Sequence, residues 1–272
     1  MGPPLLRSLL LLLILLAAPG VRAEALVLLP GYLEDGGAWR ESGVTAELAA
    51  AGWRDGGNLL PARGGVRIAG GERMGNRRFY TVSLPTEAPL LTQLQALEPL
   101  LAWVRAQHRD ETLALAGHSA GGVLGRLYLV RHPEAGIDAL VTIASPHLGT
   151  DTAELGLLAG QTPLAWLAPF VGGETLNRSQ GLYYDLSGTR PGGFLDWLNH
   201  QPHPEALYVS IVRRQDGLLG IGDVVVPPRS QDMNQVPALH GRARTWTVDG
   251  LHTLERADGR RILEALALLW RT

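Results

Sequence analysis

Short apolar blocks alternate with polar and glycine-rich stretches along most of this 272-residue chain. Ala25–Leu29 is a five-residue apolar run that predicts a buried strand. Arg78–Leu84, Thr112–Ala116, Ile137–Ala144, Leu207–Val212 and Arg244–Val248 predict five more. Helical patterns separate them. Thr45–Ala51 reads as a short helix stopped by Gly52. Leu90, Leu91, Leu94, Leu97, Leu101 and Val104 recur at helical spacing up to the polar stretch Gln107–Asp110. Val123–Val130 starts another helix, and Ile262–Trp270 closes the chain. Strands that alternate with helices imply an α/β fold, a mostly parallel sheet with helices on both faces. Two stretches break the rhythm. Asp55–Gly75 holds seven glycines and several arginines and reads as a surface excursion. Residues 151–203 carry apolar blocks interrupted by glycine and proline, and read as a small helical or irregular cap insertion. There Leu155, Leu157, Leu158, Leu164, Trp166, Leu167, Phe170 and Val171 predict an apolar lid face that meets lipid.

The amino terminus has a different character. Arg7 precedes the unbroken Leu/Ile run Leu9–Leu16, followed by Ala17-Ala18-Pro19-Gly20 and Val21-Arg22-Ala23. This is the layout of a cleavable secretory leader, residues 1–23, with cleavage after Ala23. The expectation is a secreted or periplasmic protein whose single domain is 24–272, with the cap at about 151–203. An uncleaved membrane anchor is the alternative. The absence of cysteine rules out a lipoprotein anchor, disulfides, thiol nucleophiles and cysteine–metal sites. A formal net charge of −2 gives no basis for nucleic-acid binding. Hydrophobic residues make up 46% and charged residues 18%, enough for a large core.

Chemistry concentrates at Gly117-His118-Ser119-Ala120-Gly121-Gly122, between a predicted strand and a predicted helix. G-x-S-x-G in that setting is a nucleophile elbow. Glycines allow the tight turn that lifts Ser119 Oγ out of the sheet, toward a helix N-terminus that favours negative charge. A serine hydroxyl needs a base, and the base needs an acid that orients it. In this kind of site the chain order is serine, acid, histidine. His252, four residues past the last strand, suits the base; His240 precedes that strand and is the rival. Asp223, in Gly222-Asp223-Val224-Val225-Val226-Pro227, suits the acid, with Asp216 as its rival. His118 reads as a packing residue, His147 as a candidate wall of the site, and His200 and His203 as a solvated loop without a third metal ligand. An oxyanion also needs donors. The Ala120 backbone N–H is one, and Tyr32 or Leu33, in the loop after the first strand, supplies the second.

Four segments carry a family resemblance: Gly117–Gly122, Ser145-Pro146-His147-Leu148-Gly149-Thr150, Asp223-Val224-Val225-Val226-Pro227 and Gly250-Leu251-His252. Together they resemble the α/β-hydrolase family, and within it bacterial secreted lipases and esterases and the inositol deacylases of GPI anchors. The resemblance spans most of residues 25–270. It implies Ser119 as nucleophile, Asp223 as acid, His252 as base, and Tyr32 as the second oxyanion donor. Pro30 stands where the family's H-G-x motif has histidine. The implied activity is hydrolysis of carboxylic esters, of small molecules or acyl lipids, through an acyl-enzyme on Ser119. It implies no cofactor, no metal, and transient contact with a lipid surface. An acyltransferase with the same triad, or a non-catalytic binding protein on the same fold, are the alternatives.

Overall fold

The computed structural model describes residues 24–72, 75–150, 179–188, 190–214 and 223–270. Eight strands form one sheet: β1 (Glu24–Leu29), β2 (Arg54–Ala62), β3 (Gly65–Ala69), β4 (Arg77–Val82), β5 (Thr112–His118), β6 (Ala139–Ile143), β7 (Leu207–Arg213) and β8 (Ala243–Val248). Their order is β3-β2-β4-β1-β5-β6-β7-β8. All neighbours run parallel except β2 and β3. The expected α/β fold with a mostly parallel sheet is therefore the fold observed.

The helices are α1 (Ala38–Glu41), α2 (Val44–Ala50), α3 (Leu90–Gln107), α4 (Ala120–Arg131), α5 (Phe194–His200), α6 (Pro228–Gln231) and α7 (Arg256–Leu266). Residues 179–186 are also helical. The period of two along β1 divides the core. Ala25, Val27 and Leu29 face α3 and α4, while Leu26 and Leu28 join Val44, Leu48 and Ile262 of α2 and α7. Each face is a separate apolar cluster, which is why β1 reads as an unbroken apolar run and not as an alternating one.

One expectation is corrected. The glycine-rich stretch 55–75 is no surface excursion: it contains most of β2 and all of β3, an antiparallel hairpin that extends the sheet edge. Its strands lack the apolar signal because β3 is largely solvent-exposed. The glycines have local reasons. A Cβ on Gly56 would stand 2.3 Å from the Tyr80 ring. Gly57, at φ 100°, lies where the β2–β4 register shifts between Asp55 and Asn58. Residues 1–23, and with them the leader, lie outside the described residues, as do residues 151–178, which hold the named apolar side chains of the cap. Among the described residues no helix is long and apolar enough to cross a membrane.

Candidate active site

The sheet order reverses direction around β1, with β4 on one side and β5 on the other. Ligands of open α/β sheets bind beyond the strand ends at such a point. Two loops meet there. One follows β1, and the other is the turn from β5 into α4.

Ser119 sits in that turn at φ 49° and ψ −125°, a backbone conformation that L-residues adopt only under strain. Its N–H donates to Ile143 O at 2.9 Å, and its carbonyl accepts from Gly122 N at 3.0 Å. The neighbouring glycines are fixed by space. A Cβ on Gly121 would lie 2.5 Å from Pro30 O, and one on Gly122 would lie 2.0 Å from Ser145 Oγ. These close approaches seat the N-terminus of α4 against the ends of β1 and β6. Among the described residues two other non-glycine residues have a positive φ, Leu33 (φ 59°) and Ala144 (φ 51°). They follow β1 and β6, so all three lie at the same end of the sheet.

Asp223 and His252 come to Ser119 from beyond β7 and β8. His252 Nε2 is 2.9 Å from Ser119 Oγ, and its Nδ1 is 2.9 Å from Asp223 Oδ2. Asp223 accepts two further hydrogen bonds at Oδ1, from the N–H groups of Val225 and Val226, and one at Oδ2 from Gln231 Nε2. With that oxygen committed, the proton on His252 belongs on Nδ1, which leaves Nε2 to accept from the serine hydroxyl. Ser119, Asp223 and His252 are all at least 98% buried. Burial, against the opposing pull of Asp223, holds the His252 pKa below the ordinary histidine value, and the charge on His118 adds to the lowering.

The loop after β1 closes on the same spot. A Cβ on Gly31 would stand 3.2 Å from Ser119 Cβ. Tyr32 follows directly. Its hydroxyl is buried, donating to Ser179 Oγ at 2.9 Å and lying 2.7 Å from the Tyr183 hydroxyl, so the side chain pins the loop to residues 179–186. Ala120 is buried as the first residue of α4. Ser119, Asp223, His252, Tyr32 and Ala120 are thus gathered in one place.

The other candidates separate. Asp216 lies outside the described residues. His240 is exposed and donates to Asn234 O. His147 is fully buried, with Nε2 on Thr142 Oγ1, so it does not wall an open site. His203 is not a solvated loop residue. It is 6% exposed, and burial together with the charge of Arg126 pulls its pKa down to about 3. Its neighbour in sequence, His200, turns outward to Asp196 O. Among the described residues no group of three or more His, Asp or Glu side chains is placed to hold a metal ion.

Two residues join the site unannounced by sequence patterns. His118 was expected only to pack. Instead it bridges Glu34 Oε2, 2.9 Å from its Nδ1, and the His252 carbonyl, 2.6 Å from its Nε2. Glu34 also accepts from Gly31 N at 2.6 Å. A glutamate in a glycine-rich loop carries no sign that it turns inward; only its pairing with the elbow histidine reveals it.

The model of the alpha/beta hydrolase fold matches residues 74–184 of the chain. No curated protein matches it by sequence. Among solved structures, it is similar to a Bacillus licheniformis lipase in its mature form, with 15% identity and a TM-score of 0.59 over 93% of this chain and 94% of that one. A Pyrococcus furiosus esterase aligns with 14% identity and a TM-score of 0.57, covering 92% of this chain and 83% of that one. The product of a Listeria innocua gene aligns with 11% identity and a TM-score of 0.54, over 90% and 92%. The chain has the α/β-hydrolase fold.

Proposed function

We propose that this α/β-hydrolase-fold chain is a serine hydrolase that cleaves carboxylic esters through an acyl-enzyme on Ser119. The observation that carries the reading is the unbroken line Ser119 Oγ, His252 Nε2, His252 Nδ1, Asp223 Oδ2, with 2.9 Å at each gap, at the apex of a strained turn. In the first step His252 takes the hydroxyl proton as Oγ forms a bond to the ester carbonyl carbon. The resulting oxyanion is met by the backbone N–H groups of Ala120 and Tyr32. His252 then passes its proton to the departing alkoxide. Water attacks the acyl-enzyme by the reverse route and restores the serine. Asp223 stays ionised throughout and stabilises the imidazolium.

An apolar acyl group suits the rim. Val224 and Leu251, the chain neighbours of Asp223 and His252, are 53% and 44% exposed. Large apolar side chains left open beside a buried polar centre favour an apolar ligand, and acyl lipids fit that description. Two proteins that share the fold are named as a lipase and an esterase, in keeping with this reading. The leader at 1–23 assigns the activity to the periplasm or the exterior.

Reaction with a fluorophosphonate followed by peptide mapping tests the nucleophile: the adduct is expected on Ser119 and is lost in Ser119→Ala. An adduct elsewhere overturns the assignment. A panel of esters of graded acyl length, run with added alcohols, measures chain preference and separates hydrolysis from acyl transfer.

A further inference from the structure

We propose that His118 is held as a permanent imidazolium by Glu34 and acts as a positioning residue for His252, fixing its carbonyl from below and keeping its ring neutral in mildly acid solution. The role at His252 rests on the serine-hydrolase reading above; the ion pair does not.

The argument is one of donors and acceptors. His118 Nε2 lies 2.6 Å from the His252 carbonyl, which can only accept, so Nε2 carries a proton. His118 Nδ1 lies 2.9 Å from Glu34 Oε2. A neutral imidazole protonated on Nε2 turns a lone pair toward that oxygen. A neutral Glu34 could supply the missing proton, but the same Oε2 accepts the Gly31 N–H at 2.6 Å, a length typical of a charged acceptor. With both ring nitrogens facing acceptors, the ring must donate twice, and only the imidazolium does so. His118 is 3% exposed, so water does not compete for either bond. Burial alone would discharge both partners. Burial is the largest single influence on each, yet the partner's charge and the hydrogen bonds together outweigh it, leaving the Glu34 carboxyl below the usual carboxylate range and the His118 imidazolium above the usual histidine range.

The charged groups around the pair are few. Asp258 of α7 acts on His118 from the far side, but its own charge is met by Arg213 Nη2 at 2.6 Å. His252 faces His118 directly, with ring centroids 5.4 Å apart, and on its other side faces Asp223. Glu34 stands beyond His118 as seen from His252. The positive end of the pair is therefore the nearer one, and it opposes protonation of the base. The carboxylate has a second task. By holding Gly31 N it fixes the loop that carries Tyr32, so one ion pair ties the oxyanion loop, the elbow and the base together.

Two measurements test this. In protein labelled with 15N at histidine, the His118 ring, assigned by its loss in His118→Asn, should show two protonated nitrogens from about pH 6 to pH 8, across the ordinary histidine range. A neutral pattern there overturns the ion pair. The second measurement is the rate of fluorophosphonate labelling of Ser119 against pH. Glu34→Gln removes the carboxylate and lets His118 become neutral. His118→Gln keeps a donor toward the His252 carbonyl, where Nε2 lay, without charge. Both should move the acid limb of the profile to higher pH, by about half a unit or more for a charge this close. A merely structural role predicts slower labelling with the limb unmoved, and that result overturns the proposal. Should Glu34→Gln fail to fold, His118→Gln decides. Absence of labelling at Ser119 at every pH would sink the hydrolase reading and the role at His252 with it, while the resonance experiment still reports on the ion pair.

Discussion

Ser119, Asp223, His252, His118 and the half-buried Glu34 form one polar cluster; the buried Arg126, Asn199, His147 and His203 form another. In the first, no buried side-chain nitrogen or oxygen lacks a partner. In the second, four do: Arg126 Nε and Nη1, His147 Nδ1 and His203 Nε2. Arg126 is fully buried, yet among the described residues its one side-chain bond is to the neutral amide of Asn199. Burial drives its pKa down to about 9. The protein therefore contains a set of charges that support one another and a charge with little support. Paired buried charges fix geometry; a weakly paired one chiefly subtracts stability.

The contrast breaks first at the nucleophile. Ser119→Ala should lower kcat by about 10⁶-fold, and His252→Ala by a similar factor, because the two act as a unit. Steady-state ester hydrolysis measures this, and a thermal melt should show the fold retained. Asp223→Asn should cost about 10⁴-fold, since an amide neither stabilises the imidazolium nor holds the tautomer. If Asp216→Asn proves the more damaging change in the same assay, the acid is misassigned.

Next comes stability. Asp258→Ala strands Arg213, its partner across 2.6 Å, and should cost about 3–5 kcal/mol in denaturant unfolding. Arg126→Met deletes a buried charge that had no such partner. It should cost less than about 1 kcal/mol or stabilise the protein, with ester turnover intact. A loss from Arg126→Met as large as that from Asp258→Ala would show that Arg126 is as well compensated as the Arg213–Asp258 pair.

The smallest effect is in the pH dependence, where His118 of the first cluster and the two histidines of the second have opposite signs. His147 and His203 are held below the ordinary histidine value of 6.5 by burial and by Arg126, His203 at about 3. The unfolded chain then binds more protons than the folded one as pH falls below 6.5, so their contribution is full above that value and is lost on acidification. His118 is raised, so its contribution is full below 6.5 and is lost as pH climbs through its folded value. Each group can tilt stability by at most about 1.4 kcal/mol per pH unit. Melting curves across pH should lose acid sensitivity in His203→Gln and alkaline sensitivity in His118→Asn. Unchanged slopes in either variant would contradict the assignment for that residue.

How much of this was legible follows from which physics each element obeys. β1, β5 and β6 are buried on both faces and show as plain apolar runs at 25–29, 112–116 and 137–144. The elbow was legible because G-x-S-x-G between a strand and a helix marks the tight turn by itself, although only Gly117 meets its steric limit within a few residues, while Gly121 and Gly122 are held by Pro30 and Ser145. The hairpin of β2 and β3 was not, since an exposed edge strand needs no apolar side chains. Glu34 and Gln231 were missed for another reason. Their significance lies in what they meet across the fold, His118 at a distance of 84 residues and Asp223 through a turn, and no local pattern records such a meeting. His203 misled because its proline-flanked sequence looks like solvent while Tyr208 and Arg126 enclose it.

The left-handed backbone at Ser119 has a consequence for anyone who selects this protein for heat resistance. Such a residue holds strain of about 1–3 kcal/mol that glycine would not. Ser119→Gly is therefore among the substitutions that a screen scoring only survival at high temperature should enrich, and it yields an inert protein. Ala144, at φ 51°, also has a positive φ and has no role in the proposed chemistry. Ala144→Gly offers relief of the same kind, provided the lost methyl group is not itself needed in the core. A library built for stability should open position 144 and close position 119, because at the turn after β5 durability and usefulness are selected in opposite directions.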